Sequence, residues 1–246
     1  FKHIPKPEFN NLGMSFGESE VRHSEAYSEL LTVLGLEESF NNLLEVPVMK
    51  ERVEYLSKAL TLKTDKKQDY VLSLILFSIL IENVSLFSQF AILLAFTRFK
   101  GIMMSISNVI AYTAFEEQIH GKGGVYIINL IKKEYPELFT EELYDKVRKL
   151  IEHSIGVESR MLDWIFEKGE IDSVSKKDLL FFMKDRVDVN LTSIGMDKMY
   201  NVSTEELKPM FWFNEEVTAD TLDDFFAKKP VDYSKHDKPI SANDLF

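Results

Sequence analysis

Apolar side chains recur at helical spacing along most of the chain, and signs of strands are few. The chain contains no Asn-Gly hairpin signal and no sustained alternation of apolar and polar residues. Glycine, proline and polar turns divide the pattern into predicted helices over about 14–35, 47–61, 65–98, 102–133, 140–168 and 176–194. The pattern therefore predicts an all-α fold.

The most apolar stretch, Val71–Phe96, is long enough to cross a bilayer. However, Glu82 lies near its middle, and a carboxylate at that depth costs roughly 2.5–3.5 kcal/mol on insertion scales. Asn83 and Gln89 add further polar groups. We therefore predict a long central helix that is buried inside a helical bundle, rather than a membrane span.

The two ends of the chain differ from this helical body. Helical periodicity fades from about Asn214 onward, so we predict a bundle over 1–213 and an extended tail over 214–246. The first residue is Phe1 and not a methionine, and we expect the natural N-terminus to lie upstream of it.

Charge and cysteine content exclude several functions. The 246 residues carry a formal net charge of -11 at pH 7, and an acidic surface repels phosphate backbones, so we expect no nucleic-acid partner. There are no cysteines, which excludes disulfides, thiolate metal ligands and cysteine nucleophiles. The absence of cysteine also fits a reducing compartment.

Two Glu-x-x-His motifs are the main candidates for chemistry. Glu20 and His23 form the first, and Glu117 and His120 form the second, on a different predicted helix. Residues three apart share one face of a helix, so both side chains of a motif can reach one metal ion. Glu82 is a further candidate because a buried carboxylate needs a metal or a basic partner from another helix. Two such motifs with additional carboxylates are typical of dinuclear metal sites in ferritin-like bundles.

Tyr27 lies four residues after His23, on the same helical face. It is either a core tyrosine with a satisfied hydroxyl or a redox-active tyrosine near the metals. The glycine-rich run at 121–124 lacks the spacing of a phosphate-binding loop. Its small residues indicate either close packing of helices or a local π-bulge beside the metals.

Three segments together resemble the small subunit of class I ribonucleotide reductase. EVRHSEAYSELL, with Tyr27, resembles that family's radical-bearing helix, and LIENVSLFSQFA and FEEQIH resemble its two further ligand helices. The order and spacing of the segments agree with the family along essentially the whole chain. The resemblance implies a ferritin-like helical bundle with a dinuclear metal site in its core.

The resemblance also implies a role for each metal ligand. Glu20 and Glu117 would bridge two metal ions, His23 would bind one ion, and Glu82 and His120 would bind the other. Iron is the metal that the resemblance favours, while manganese or a mixed manganese–iron pair remains open because carboxylate and imidazole ligands suit both.

Other residues acquire expected roles in the same way. Tyr27 would hold a stable neutral radical, and Leu86 and Phe90 would help to form a dry pocket around it. Glu116 replaces the aspartate that usually precedes the second motif, and its longer carboxylate is expected to keep the hydrogen-bonding role. Tyr233 is the one tyrosine of the predicted tail, and we expect it to relay the radical.

Two family features have no counterpart in this chain. The family has an aspartate ligand and a radical-relaying tryptophan upstream of the first motif, whereas Asp65 and Asp69 come after it. We therefore expect a truncated chain, and taken literally its metal site would lack one ligand.

The expected assembly follows from the same resemblance. A chain without cysteine cannot reduce nucleotides alone, so the partner is a separate large catalytic subunit, which the tail would bind through Leu245 and Phe246. We also expect a homodimer, a cytoplasmic location, and neither nucleic acid nor membrane as a partner. The alternatives are a ferritin-like dinuclear metal oxidase, an iron-handling protein, or a metal-free helical interaction subunit.

Overall fold

The computed structural model describes residues 6–60, 67–171 and 173–218, so the predicted relay Tyr233 and most of the predicted tail lie outside the described residues. Within them the fold is all-α, as predicted, with an isolated bridge between Ile171 and Val174 and no strand. The helices are α1 (Pro7–Leu34), α2 (Glu37–Asn41), α3 (Pro47–Leu60), α4 (Lys67–Leu76), α5 (Phe87–Lys100), α6 (Met104–Glu134), α7 (Glu141–Ile165), α8 (Lys176–Ser193), α9 (Thr204–Leu207) and α10 (Phe211–Thr218).

The helix boundaries follow local chemistry. Helix α1 begins at Pro7, earlier than the predicted residue 14, because a proline is well tolerated in the first turn, where its missing N–H has no helical partner. It ends at Gly35, whose φ of 65° lies in the left-handed region that glycine adopts without strain. Helix α10 extends to Thr218, five residues past the predicted end of the bundle at residue 213, because Phe213 and Val217 are buried in the core.

The central apolar stretch is built as predicted, as one long helical span through the core. Lys67–Lys100 is apolar and long enough to cross a membrane, with a mean hydropathy of 2.0 in its most apolar window. Yet 72% of that window is buried inside the protein, as in the core helix of a soluble bundle. Between α4 and α5 the span contains a π-helix, Phe77–Ser85, in which each turn takes up more residues than in an α-helix.

This π-helical segment lies at the centre of the bundle and contacts α3, α6 and α8. Its closest neighbour is α6, where a Cβ atom added to Gly121 or Gly124 would lie 2.0 Å or 2.1 Å from side-chain atoms of Asn83 and Ser78. The glycines therefore permit close packing of two helices, whereas the π-helix lies in the Glu82 segment and not in α6. Helix α1 also packs against α6.

Candidate metal centre

The structure brings together the five residues that the sequence predicted as metal ligands. One ligand atom from each of Glu20, Glu82, Glu117 and His120 lies within 4.8 Å of the others. His23 joins this group, since its Nδ1 lies 3.2 Å from a carboxylate oxygen of Glu117 and 3.8 Å from one of Glu20. The group forms where α1, the π-helical segment and α6 meet. Within the described residues it contains no aspartate.

Three of these side chains are deeply buried. Glu82, Glu117 and His120 are each at most 5% exposed, whereas the side chain of Glu20 is 52% exposed, so the cluster is open on the α1 side. The closest cationic group to Glu82 in the described chain is His120, whose Nδ1 lies 3.6 Å away, and no lysine or arginine pairs with it. A simple buried salt bridge therefore does not explain the Glu82 carboxylate.

When no metal is bound, protons on the side chains supply the positive charge that offsets the clustered carboxylates. Burial opposes protonation of His23, but its contacts with Glu117, Glu20 and Glu116 outweigh burial and raise its pKa to about 10. The same balance at His120, with Glu117, Glu20 and Glu82, raises that pKa to about 11. Burial raises the pKa of Glu82, also above its usual range. The cluster therefore favours bound positive charge, whether it comes from protons or from metal ions.

The residue before each motif holds the histidine of the other motif. Glu116 accepts a hydrogen bond from Nε2 of His23 at 2.7 Å, and the Ser19 hydroxyl lies 2.8 Å from Nε2 of His120. Both contacts leave Nδ1 directed toward the carboxylates, which is how outer hydrogen bonds orient metal-binding imidazoles. Arg22 fixes Glu116 in turn, with its two guanidinium nitrogens 3.0 Å and 3.3 Å from the carboxylate oxygens.

Sequence reasoning expected the hydrogen-bonding role of Glu116 but missed that of Ser19. A signal was present, because Ser19 precedes Glu20 as Glu116 precedes Glu117. The π-helix around Glu82 was also missed, since no local residue pattern distinguishes it from an α-helix.

Tyr27 lies on α1, one turn beyond His23, and packs against the hydrophobic core. Its hydroxyl is buried and lies near Thr113, but it makes no hydrogen bond of regular geometry among the described residues. Burial raises the pKa of Tyr27, and nearby Thr113 opposes that shift. Phe90 is a buried part of the same core, and Leu86 packs against it. The surroundings of Tyr27 therefore disfavour a charged phenolate.

The donor set fits metal ions. Nδ1 of His23 is buried and lacks a hydrogen-bond partner, although it faces the carboxylates of the cluster. Several carboxylates that converge on one another repel unless a cation lies between them. Carboxylate oxygens and imidazole nitrogens are ligands that iron and manganese both accept.

An all-α bundle that combines two Glu-x-x-His motifs with a further buried glutamate has the architecture of the ferritin-like dinuclear carboxylate proteins. The family model described as ribonucleotide reductase, small chain, matches residues 1–209. The chain belongs to this family, and the fold, the donor set and the family together support a dinuclear metal centre.

Relatives with assigned names are distant but cover nearly the whole chain. A probable ribonucleoside-diphosphate reductase small subunit, 048L, of Invertebrate iridescent virus 3 is 25% identical over 94% of this chain. The β subunit of ribonucleoside-diphosphate reductase from Chlamydia pneumoniae is 24% identical over 95% of the chain. The chain spans 64% of the length of the viral relative and 69% of the length of the Chlamydia relative.

Solved structures share the fold. A putative class I ribonucleotide reductase from Bacillus halodurans superposes with a TM-score of 0.79 at 21% identity, covering 87% of this chain and 77% of that one. The R2 subunit of ribonucleotide reductase from Clostridium botulinum gives a TM-score of 0.71 at 20% identity, covering 79% and 62% of the two chains. At this level of identity, the likeness supports the ferritin-like bundle alone.

Proposed function

We propose that this chain is the radical-generating subunit of a ribonucleoside-diphosphate reductase. The observation that carries the proposal is the convergence of five ligand side chains next to a tyrosine whose buried hydroxyl makes no hydrogen bond of regular geometry in the described chain. When bound, a dinuclear metal centre supplies a strong one-electron oxidant at this place. The protein supplies the ligands, the dry surroundings and the oxidisable side chain.

The contacts within the cluster support the proposed ligand roles. Glu20 and Glu117 each lie between the two histidines and are suited to bridge two ions. His23 would contribute to one ion, while Glu82 and His120 would contribute to the other. We propose iron as the metal, with manganese as the alternative that metal analysis distinguishes.

Tyr27 is the side chain that becomes the radical. Its electron would pass to the bound metal centre and its phenolic proton to a carboxylate of the cluster, where Glu117 is close enough to raise the pKa of Tyr27, because burial disfavours both a phenolate and a charged radical cation. The apolar core around it excludes water and protects the neutral radical from reduction.

The oxidising equivalent must then leave this chain. With no cysteine, the chain lacks the thiols that would reduce a nucleotide, so a separate large subunit performs that reaction. We propose that the tail docks on the large subunit through Leu245 and Phe246 and that Tyr233 relays the radical. The assembly is proposed to be homodimeric in this subunit and cytoplasmic.

The test is electron paramagnetic resonance with metal analysis on protein that was loaded with ferrous iron and exposed to dioxygen. The parent protein is expected to bind two metals and to show a tyrosyl signal. Tyr27→Phe should keep the metals and lose the signal, since the change removes only the hydroxyl. Tyr126→Phe is the matched control, because Tyr126 is 64% exposed on α6 and should leave the signal unchanged. A tyrosyl signal that persists in Tyr27→Phe contradicts the radical assignment.

The tail has its own test. Deletion of residues 244–246 should abolish binding to the large subunit and preserve the Tyr27 radical. Tyr233→Phe should preserve both binding and radical but eliminate turnover. Full activity of the deleted protein with the large subunit would disprove the docking role.

A further inference from the structure

We propose that Arg52 and Arg186 are positioning residues that hold the π-helical segment in register and thereby aim Glu82 into the metal cluster. The inference rests on the proposed metal centre and goes beyond it, because neither arginine belongs to the ligand set. Each one donates to a main-chain carbonyl of the segment, Arg52 from α3 and Arg186 from α8.

Arg52 acts from α3. Its Nη2 donates to the main-chain oxygen of Ser85 at 2.8 Å, three residues after Glu82, and to the side chain of Gln89 at 3.1 Å. Its Nε donates to Glu158 of α7 at 3.0 Å, and Glu158 is fully buried. The guanidinium group is therefore fixed at both ends and cannot leave Ser85 without unpairing a buried carboxylate.

Tyr55 strengthens this arrangement on the same side. Its hydroxyl donates to Glu158 at 2.6 Å and lies 2.8 Å from the Ser85 hydroxyl. The end of the π-helical segment is thus tied to both α3 and α7 through one connected set of buried polar groups.

Arg186 acts from α8. Its Nε donates to the main-chain oxygen of Asn83, the residue directly after Glu82. Its guanidinium carbon lies 3.5 Å from the ring centroid of Phe87 and 5.5 Å from that of Phe182. The two aromatic rings restrict the arginine to a narrow range of positions.

The segment also satisfies one of its own carbonyls. The side chain of Asn83 donates to the main-chain oxygen of Ser78 at 2.6 Å, and Gly121 leaves the room that this amide occupies. Three carbonyls of the segment therefore have side-chain donors, which is what a helix needs where its regular main-chain ladder is disturbed.

The register of this segment determines where Glu82 points. A change from π to α hydrogen bonding would shift the following residues by one position, and one position is about 100° around a helix axis. Glu82 would then rotate away from His120 and Glu117. Because the arginines hold the carbonyls just after Glu82, they stabilise the register in which its carboxylate reaches the cluster.

The experiment titrates manganese(II) alone into the metal-free chain and follows binding by electron paramagnetic resonance. The parent should take up two ions and show a spin-coupled pair. In Arg52→Met and Arg186→Met, affinity for one of the two ions should fall about 10–100-fold, as for other outer-sphere changes. The signal of isolated manganese(II) should then appear at stoichiometric metal. Arg160→Met is the matched control, since Arg160 forms an exposed pair with Glu51 and should leave both ions in place.

A double-mutant cycle separates positioning from general stability. In a Glu82→Ala background, Arg186→Met should have no further effect on manganese affinity, because its target is already gone. If the loss of affinity adds to that of Glu82→Ala, the arginine acts through stability and the proposal is wrong. If the methionine variants fail to fold, Arg52→Lys and Arg186→Lys provide milder changes, because lysine keeps a charged donor. The lysine variants should bind manganese more tightly than the methionine variants.

The two proposals fail in different ways. If the parent binds no manganese, the metal centre is disproved and the positioning role with it. If the parent binds a coupled pair and the arginine variants do so with equal affinity, only the positioning role is disproved.

Discussion

The two Glu-x-x-His helices, α1 and α6, share one motif but surround it differently. On α6 both Glu117 and His120 are buried, whereas on α1 the His23 side chain is 9% exposed and that of Glu20 is 52% exposed. The spacing of each motif gives the same local geometry. The packing around each helix determines how deeply its motif is buried. The α6 motif therefore forms the inner, buried side of the cluster, and the α1 motif forms the outer side, where Glu20 is exposed.

The hydrogen bonds on the two histidines differ in charge as well. His23 is held by the carboxylate of Glu116, while His120 is held by the neutral hydroxyl of Ser19. A carboxylate partner makes an imidazole a stronger ligand than a hydroxyl does. We therefore expect the two proposed metal positions, built from two copies of the same motif, to differ in affinity.

The largest expected effect comes from removing the inner carboxylate. Glu117 lies 3.2 Å from Nδ1 of both His23 and His120, so Glu117→Ala should abolish binding of both metals. Glu20→Ala should weaken binding but retain one metal, because its carboxylate is half-exposed and solvent can replace it. Metal stoichiometry after gel filtration measures both changes. Glu25→Ala, which changes an exposed residue of α1, is the control. If Glu117→Ala and Glu20→Ala lose the same amount of metal, the distinction between an inner and an outer carboxylate is wrong.

The second effect is a steep dependence of metal affinity on pH. Both histidines have raised pKa values, about 10 for His23 and about 11 for His120, so in the metal-free chain both are protonated at pH 7. Metal binding requires neutral imidazoles and an ionised Glu82, whose pKa is also raised, so it must release at least two protons. The affinity for the metal pair should therefore rise by at least roughly 100-fold per pH unit near neutrality. Calorimetry in buffers of different ionisation enthalpy counts the protons. Release of none would show that the histidines are neutral before metal binds.

The same pKa shifts affect the stability of the metal-free protein, which should fall as the pH rises, whereas metal affinity increases. A histidine whose pKa is raised by folding stabilises the folded state fully below its unfolded value of about 6.5. That contribution is lost as the pH rises through about 10 and 11. The free energy of unfolding of the metal-free chain should therefore fall across this range, whereas metal binding improves.

Much of this site could be predicted from sequence because its ligands follow local rules. The spacing of three in Glu20–His23 and Glu117–His120 places each pair on one helical face, whatever the rest of the chain does. Glu82 was identifiable because a carboxylate is rare in so apolar a stretch. The contacts of Ser19 and Glu116 are different in kind, since each joins helices about 100 residues apart and depends on how they pack.

The π-helix was not predictable for a related reason. Its hydrogen bonds are stabilised by Arg52 and Arg186, which come from distant helices, so the segment alone gives no signal. Helices α2, α9 and α10 were also missed because they are short. Helix α10 is supported by the burial of its own Trp212 and Phe213 rather than by a long periodic pattern.

A smaller effect should distinguish the partners of the two histidines. Glu116→Ala removes the charged acceptor of His23 and should lower affinity for one metal by about 10–100-fold. Ser19→Ala removes a neutral group from His120 and should give a loss near the lower end of that range or below it. Manganese titrations of the two variants provide the comparison. If Ser19→Ala lowers metal affinity as much as Glu116→Ala, the charge of the hydrogen-bond partner does not make the two metal positions unequal. Both hydrogen bonds would then act only by orienting the imidazole rings.

The smallest effect concerns the position four residues after each histidine, which is Tyr27 on α1 and Gly124 on α6. A Cβ atom at Gly124 would lie 2.1 Å from the hydroxyl oxygen and 2.6 Å from Cβ of Ser78, so the π-helical segment would have to move. Overpacking of this kind costs about 1–3 kcal/mol and exceeds the helix-propensity gain of about 1 kcal/mol for alanine. Gly124→Ala should therefore lower the free energy of unfolding by about 1 kcal/mol. Gly17→Ala on α1, where no atom lies within 4 Å, should raise it by roughly 0.5–1 kcal/mol. Urea unfolding of the two variants measures the change in the free energy of unfolding for each. If Gly124→Ala stabilises the protein, α6 does not require glycine where it meets the Glu82 segment.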